Sequence, residues 1–121
     1  MELQVLSQAF TVCKLTGSSG VDPLCEFCFL GKTDEELSLV CPTEYVPSET
    51  LAREDGWRGF RIRGVLDFSL VGILAGIASL LAEHGISIFA VSTFNTDYVF
   101  SRTADFDRAV SWLGEAGYQI V

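Results

Sequence analysis

Residues 57–63 alternate, with Phe60 and Ile62 on one side of the period and Arg61 and Arg63 on the other. A period of two with one charged face predicts a strand with one wet side. Residues 64–69 then form a glycine-turned loop, and an apolar run of helical length follows over about 70–84. Gly85 stands where a left-handed residue ends many helices. Residues 86–92 are apolar on both faces, which predicts a strand interior to a sheet. Phe94 and Asn95 read as a turn, and residues 96–102 run back as a third strand. Thr103 reads as a helix N-cap, with Asp105 and Asp107 in the first turn, where the helix dipole favours acids. Phe106, Ala109, Val110, Leu113 and Ala116 recur at helical spacing, and Gly117 precedes a last strand at 118–121. The order β, α, β, β, α, β with short connections predicts a four-stranded antiparallel sheet with both helices on one face.

The first half of the chain offers strands and little helix. Apolar runs at 9–15, 24–31 and 36–41 read as strands, the last two joined as a hairpin through Lys32, Thr33, Asp34 and Glu35. Pro42, Pro47 and the polar run 48–55 mark a connector with one helical turn after Ser48. The division this predicts is a β-rich unit over 1–56 and a βαββαβ unit over 57–121.

The second unit points to a site. A strand runs up, the helix returns, and the next strand runs up again, so the loop 64–69 and the turn 92–97 fall at the same end. Two carboxylates, Asp67 and Asp97, are placed there beside the hydroxyls of Ser69 and Thr93. The unpaired N–H groups of a helix start point the same way. A small zwitterion would find partners there for both of its charges. The plainer alternatives are that Asp67 or Ser69 caps the helix and that Asp97 is a turn carboxylate.

The runs G-V-L-D-F-S-L-V-G-I-L (64–74) and G-I-S-I-F-A-V-S-T-F-N-T-D-Y (85–98) resemble the ACT domain. The likeness is strongest to small tandem-ACT proteins related to the CASTOR arginine sensors. It implies an α+β, ferredoxin-like βαββαβ domain after a smaller, degenerate ACT-like unit. It also implies a regulatory module that binds an amino acid, has no chemistry of its own and needs no cofactor. By the same resemblance, Gly64 and Asp67 match a ligand-contacting loop, and Thr93, Phe94 and Asp97 match the contacts of the second turn. Ser69 and Leu70 match residues that reach the ligand from a neighbouring unit, which implies a homodimer with the ligand between subunits. The implied ligand is arginine or another cationic amino acid. The rival expectation is an interaction or dimerisation module without a small-molecule ligand.

Composition narrows the partners. The chain has 121 residues, 49% hydrophobic and 20% charged, which excludes a disordered polymer. Its net charge of −8 argues against nucleic acid and anionic membranes. The apolar run 68–82 is shorter than the ~20 residues of a membrane span. Gly72 and Gly76 within it have a G-x-x-x-G spacing, read here as a surface for close packing against a sheet or helix. The opening residues Met1, Glu2, Leu3 and Gln4 show no leader pattern, so the expected location is the cytoplasm.

Cys13, Cys25, Cys28 and Cys41 are expected to be free thiols. The C-E-F-C at 25–28 raises a third possibility, a thiol-dependent enzyme. A strand over 24–30 would put those two sulfurs on opposite faces, which favours small buried residues. The G-K-T at 31–33 is no phosphate loop, because Glu26 stands where its first glycine is required.

Overall fold

The computed structural model describes residues 1–63 and 72–121. Among these residues the strands are β1 (Glu2–Val5), β2 (Phe10–Leu15), β3 (Phe29–Lys32), β4 (Leu37–Pro42), β5 (Ala52–Ile62), β6 (Ile88–Ser92), β7 (Asp97–Arg102) and β8 (Gln119–Ile120). The helices are α1 (Ile73–Glu83) and α2 (Thr103–Glu115), and a single 3-10 turn occupies Thr43–Tyr45. The fold is α+β, as the sequence predicts. Two compact units emerge, one of Met1–Ser7 with Arg58–Val121, the other of Gln8–Trp57.

The first unit contains the expected βαββαβ order from β5 to β8, with one strand more. β1 pairs antiparallel with β5, placing Leu3 opposite Ile62 and Val5 opposite Phe60. On its other side β1 runs parallel to β8. Glu2 to Val5 is too short an alternation to stand out in sequence, and the strand appears only once its partners are in place. β7 pairs with β5 and with β6. A Cβ on Gly59 would meet Phe100 and Thr96 bonds to Ile62, so β7 runs antiparallel to β5.

Apolar residues on one face of this sheet form one core. Leu3, Phe60, Ile62 and Val99 pack with Ile77 and Leu81 of α1 and with Phe106, Ala109 and Leu113 of α2. Both helices therefore cover the same face. Each of these large side chains contributes about 1.5–3 kcal/mol by leaving water. Arg58 shares that face: its guanidinium lies 4.8 Å from the centroid of the Phe106 ring and donates to the Leu6 carbonyl. It is thus separated from Arg61 and Arg63, which the strand period places on the opposite face.

Several expectations shift. α1 begins at Ile73, behind Gly72 in the left-handed region at φ 83°, rather than near residue 70. Gly72 lies outside the helix, and a Cβ on exposed Gly76 would only touch the Tyr118 hydroxyl at 3.6 Å. Among the described residues, no close packing depends on that glycine pair. Thr103 is the first residue of α2, and no side chain caps it. β6 pairs with β7 alone among the described strands, so among these it stands at an edge and not in the interior. Gly85 and Gly117 do end the helices with positive φ, 71° and 106°. Arg108 closes the α1 end by donating to the His84 carbonyl at 2.9 Å, while the His84 ring stacks on Trp112.

The second unit orders its strands β3, β4, β2 and the first part of β5. The β3–β4 hairpin closes through Thr33 and Glu36 as predicted. The stretch expected to hold a helical turn after Ser48 instead enters β5 at Ala52. Buried Thr11 donates to Asp55 at 2.7 Å, and Arg53 pairs with the same oxygen at 2.8 Å. Those two bonds hold the Asp55 carboxyl below its usual range.

Candidate functional site

The β6–β7 connection is built from short polar side chains. The Thr93 N–H donates to the Thr96 carbonyl at 2.9 Å, with Phe94 and Asn95 at the tip, which is the expected turn. The Thr93 hydroxyl donates to the same carbonyl at 3.0 Å. Ser92 and Asp97 are cross-strand partners, and the serine hydroxyl donates to the carboxylate at 2.6 Å. Phe94 is 83% exposed at the tip. Buried Thr96 donates to the Ile62 carbonyl at 2.6 Å. The turn and the end of β5 therefore share one end of the sheet, as the topology requires.

Of the candidate residues, Thr93, Phe94 and Asp97 meet at this turn. Gly64, Asp67, Ser69 and Leu70 lie outside the described residues.

On the helix-free side of the same end is a groove of about 340 Å³. Its described polar lining is Gln4, Arg61, Arg63, Thr93, Asn95, Thr96 and Tyr98. Arg61 donates through Nε to Gln4 at 2.9 Å and through Nη1 to the Tyr98 hydroxyl at 3.2 Å. Arg63 approaches Glu2 at 3.7 Å, both side chains being exposed. Asp97 is not in the lining; its side chain is engaged by Ser92. The sequence reading takes Arg61 and Arg63 only as the wet side of a strand and does not see this groove. The signal for it is the spacing of Arg61 and Arg63, two positions apart on a face that ends at a polar turn.

The cysteines correct a second expectation. Residues 24–28 are not a strand; Phe27 is left-handed at φ 60° and β3 starts only at Phe29. The break brings Cys25 and Cys28 within hydrogen-bonding reach of each other instead of onto opposite faces. Both pack against Cys13, Leu15, Leu39 and Cys41. All four are free thiols. Burial, and next the neighbouring Cys28, pushes the Cys25 thiol up to about 11. Burial pushes Cys41 up to about 12. Thiols held so firmly protonated are poor nucleophiles. No group of three metal-ligating side chains occurs among the described residues. Among the same residues, no helix is long and apolar enough to cross a membrane.

Known proteins share this architecture. No curated protein sequence matches the chain. The solved structure of protein Atu0741 from Agobacterium tumefaciens is 29% identical with a TM-score of 0.87, over 99% of this chain and 91% of that one. The aspartate kinase of Synechocystis is 16% identical with a TM-score of 0.71, over 99% of this chain but 27% of the kinase. The aspartate kinase of Clostridium acetobutylicum, an allosteric enzyme, is 14% identical with a TM-score of 0.65, over 90% of this chain and 32% of its own. At these identities the two kinases share the fold alone. The ACT domain matches residues 52–115, which is more than half of the sequence. The chain belongs to the ACT domain family.

Proposed function

We propose that this protein is a non-catalytic regulatory module that binds an amino acid at the end of the sheet where β5 meets the β6–β7 turn. ACT domains are commonly ligand-binding regulatory modules, and the observation that carries the reading here is the polar groove of about 340 Å³ at that end. Small-ligand sites have volumes of roughly 300–1,000 Å³, so the groove suits a molecule of amino-acid size. Thr93 and Asn95 line it directly. Gly64, Asp67, Ser69 and Leu70 are the further contacts that the family resemblance implies.

The ligand would lie between two copies of the chain. Phe94, exposed at the turn tip, supports this arrangement, because a partner or a ligand's apolar stem would cover it. The edge of β6, unpaired among the described residues, and the half-exposed Leu74 and Ala78 of α1 offer further apolar surface for a second subunit. Binding would shift an assembly or conformational equilibrium that another protein reads. A reducing compartment such as the cytoplasm suits its four free thiols.

A thermal-shift screen against the twenty amino acids tests the reading. A ligand at a hundred times its Kd adds about 2.7 kcal/mol of stability. One clear hit, with a matching change in dimer mass by light scattering, is the expected result. Twenty flat curves would replace it with a docking module that has no small-molecule ligand.

A further inference from the structure

We propose that Cys25 and Cys28 are a redox-sensitive pair, which a low-molecular-weight disulfide such as oxidised glutathione closes into an internal disulfide while Cys13 and Cys41 stay reduced. This modification site belongs to the Gln8–Trp57 unit and is independent of the amino-acid reading.

Backbone geometry brings the pair together. Residues 24–28 belong to no strand, and Phe27, between the two cysteines, holds φ 60°, an angle that a bulky aromatic rarely adopts. The bend puts Cys28 within hydrogen-bonding reach of Cys25. Because this segment forms no ladder, the two sulfurs can close to bonding distance without breaking one. Both residues are half-buried at the edge of the cluster, whereas Cys13 and Cys41 are only 3% and 1% exposed. An oxidant from solvent therefore meets Cys25 and Cys28 first.

The inner pair is held apart. In the β2–β4 register Thr11 faces Cys41 and Cys13 faces Leu39, so the two buried cysteines are diagonal neighbours. Diagonal neighbours in a ladder stand about 7–8 Å apart, beyond the ~4.4–6.8 Å that disulfides usually span between Cα atoms. A bond from Cys25 or Cys28 to either one would pull a residue out of a regular strand.

The chemistry is thiol–disulfide exchange. Cys28 reacts first, since the Cys25 thiol donates its proton to the Glu26 carbonyl at 3.4 Å. The Cys28 proton passes to solvent and its thiolate attacks one sulfur of the oxidant. A Cys28–glutathione bond forms as the oxidant's S–S bond breaks, expelling one glutathione thiolate. Cys25 then loses its proton, attacks the Cys28 sulfur and expels the second thiolate. Two electrons pass to the oxidant, and the two glutathione thiolates take up the two protons. Burial holds Cys25 protonated, so this second step draws on proximity within the chain. In a reducing compartment such a bond is transient and redox-sensing rather than structural.

Oxidised glutathione added to the native full chain, followed by acid quench, denaturation, alkylation and peptide mass mapping, tests the site. The expected product is lighter by the mass of two hydrogens, with Cys25 linked to Cys28 at least tenfold above any other pairing. Dithiothreitol should return it to the starting mass. Cys13 and Cys41 should be recovered alkylated, as thiols that stayed free. Cys25→Ser should stop at a single glutathione bound to Cys28, with an unchanged circular dichroism spectrum. Should that variant fail to fold, the wild-type map still decides. A dominant bond that includes Cys13 or Cys41 would overturn the assignment. So would mixed disulfides that never resolve in the wild-type chain, or a mass that oxidised glutathione leaves unchanged.

Discussion

Thr96 donates its buried hydroxyl to the carbonyl oxygen of Ile62 at 2.6 Å, tying the β6–β7 turn to the last residue of β5. The bond fixes the position of Thr93 and Asn95 relative to Arg61 and Arg63. Thr96→Val keeps the shape but removes the donor and leaves a buried carbonyl unsatisfied. The expected cost is about 1–3 kcal/mol in urea unfolding, with Thr96→Ser recovering most of it.

Gly59 faces Phe100 across the β5–β7 ladder. A Cβ there would come within 2.7 Å of two carbons of the Phe100 ring and 3.2 Å of the Val99 carbonyl oxygen. That ring is fully buried and stacks on Phe89 at 4.9 Å, so it has little room to yield. Gly59→Ala should destabilise the protein by about 1–3 kcal/mol, as overpacking does. Combining it with Phe100→Leu should cost less than the sum of the two single changes in a double-mutant cycle.

The thiol cluster sets an alkaline limit. Cys25 and Cys41 lie above the ordinary thiol value of 9.0, at about 11 and about 12, both through burial first. Below pH 9 the thiols are protonated in both the folded and the unfolded chain, and their contribution to stability is complete. Above it the unfolded chain releases protons first, so stability falls as pH rises toward the folded values. Urea midpoints measured from pH 7 to 11 should decline above pH 9, and Cys41→Ala should flatten the decline. Iodoacetamide labelling of Cys25 and Cys41 in the native protein at pH 7 should be slow.

Asp55 acts at the other extreme. Hydrogen bonds from Thr11 and then Arg53 hold its carboxyl below the ordinary value of 3.8. Its contribution is present above that value and is lost as pH falls through the folded one. Thr11→Val should shift the acid unfolding midpoint upward, and Arg53→Gln should do so less.

The parts of the fold that could be read in sequence were those whose cause is local. Phe60 and Ile62 alternate with arginines, and the stripe Phe106, Ala109, Leu113 repeats at helical spacing, so β5 and α2 declare their buried faces. Gly85 and Gly117 announce their helix ends because few other residues accept those angles. The turn at Phe94 and Asn95 follows from the same local logic. What was missed depends on distant partners. Arg61 is oriented by Gln4 and Tyr98, which lie 57 and 37 positions away in the chain. The left-handed Phe27 that brings Cys25 and Cys28 together has no residue-type signature, since a bulky aromatic rarely adopts that angle. β6 reads as interior because both its faces are apolar, yet β7 is its only described neighbour.

The nested chain order has a consequence for how the molecule reaches its native state. Residues 8–57 stand between β1 and the part of β5 that pairs with it. In an open chain, closing a loop of that length costs entropy before any contact repays it. Folding of Gln8–Trp57 brings Phe10 opposite Trp57 on neighbouring strands. The long loop then behaves as a short one, and Val5 meets Phe60 almost as it would in a hairpin. Mutations that weaken the β2–β5 ladder near Phe10 should therefore slow formation of the helix-bearing unit, even though they touch none of its core.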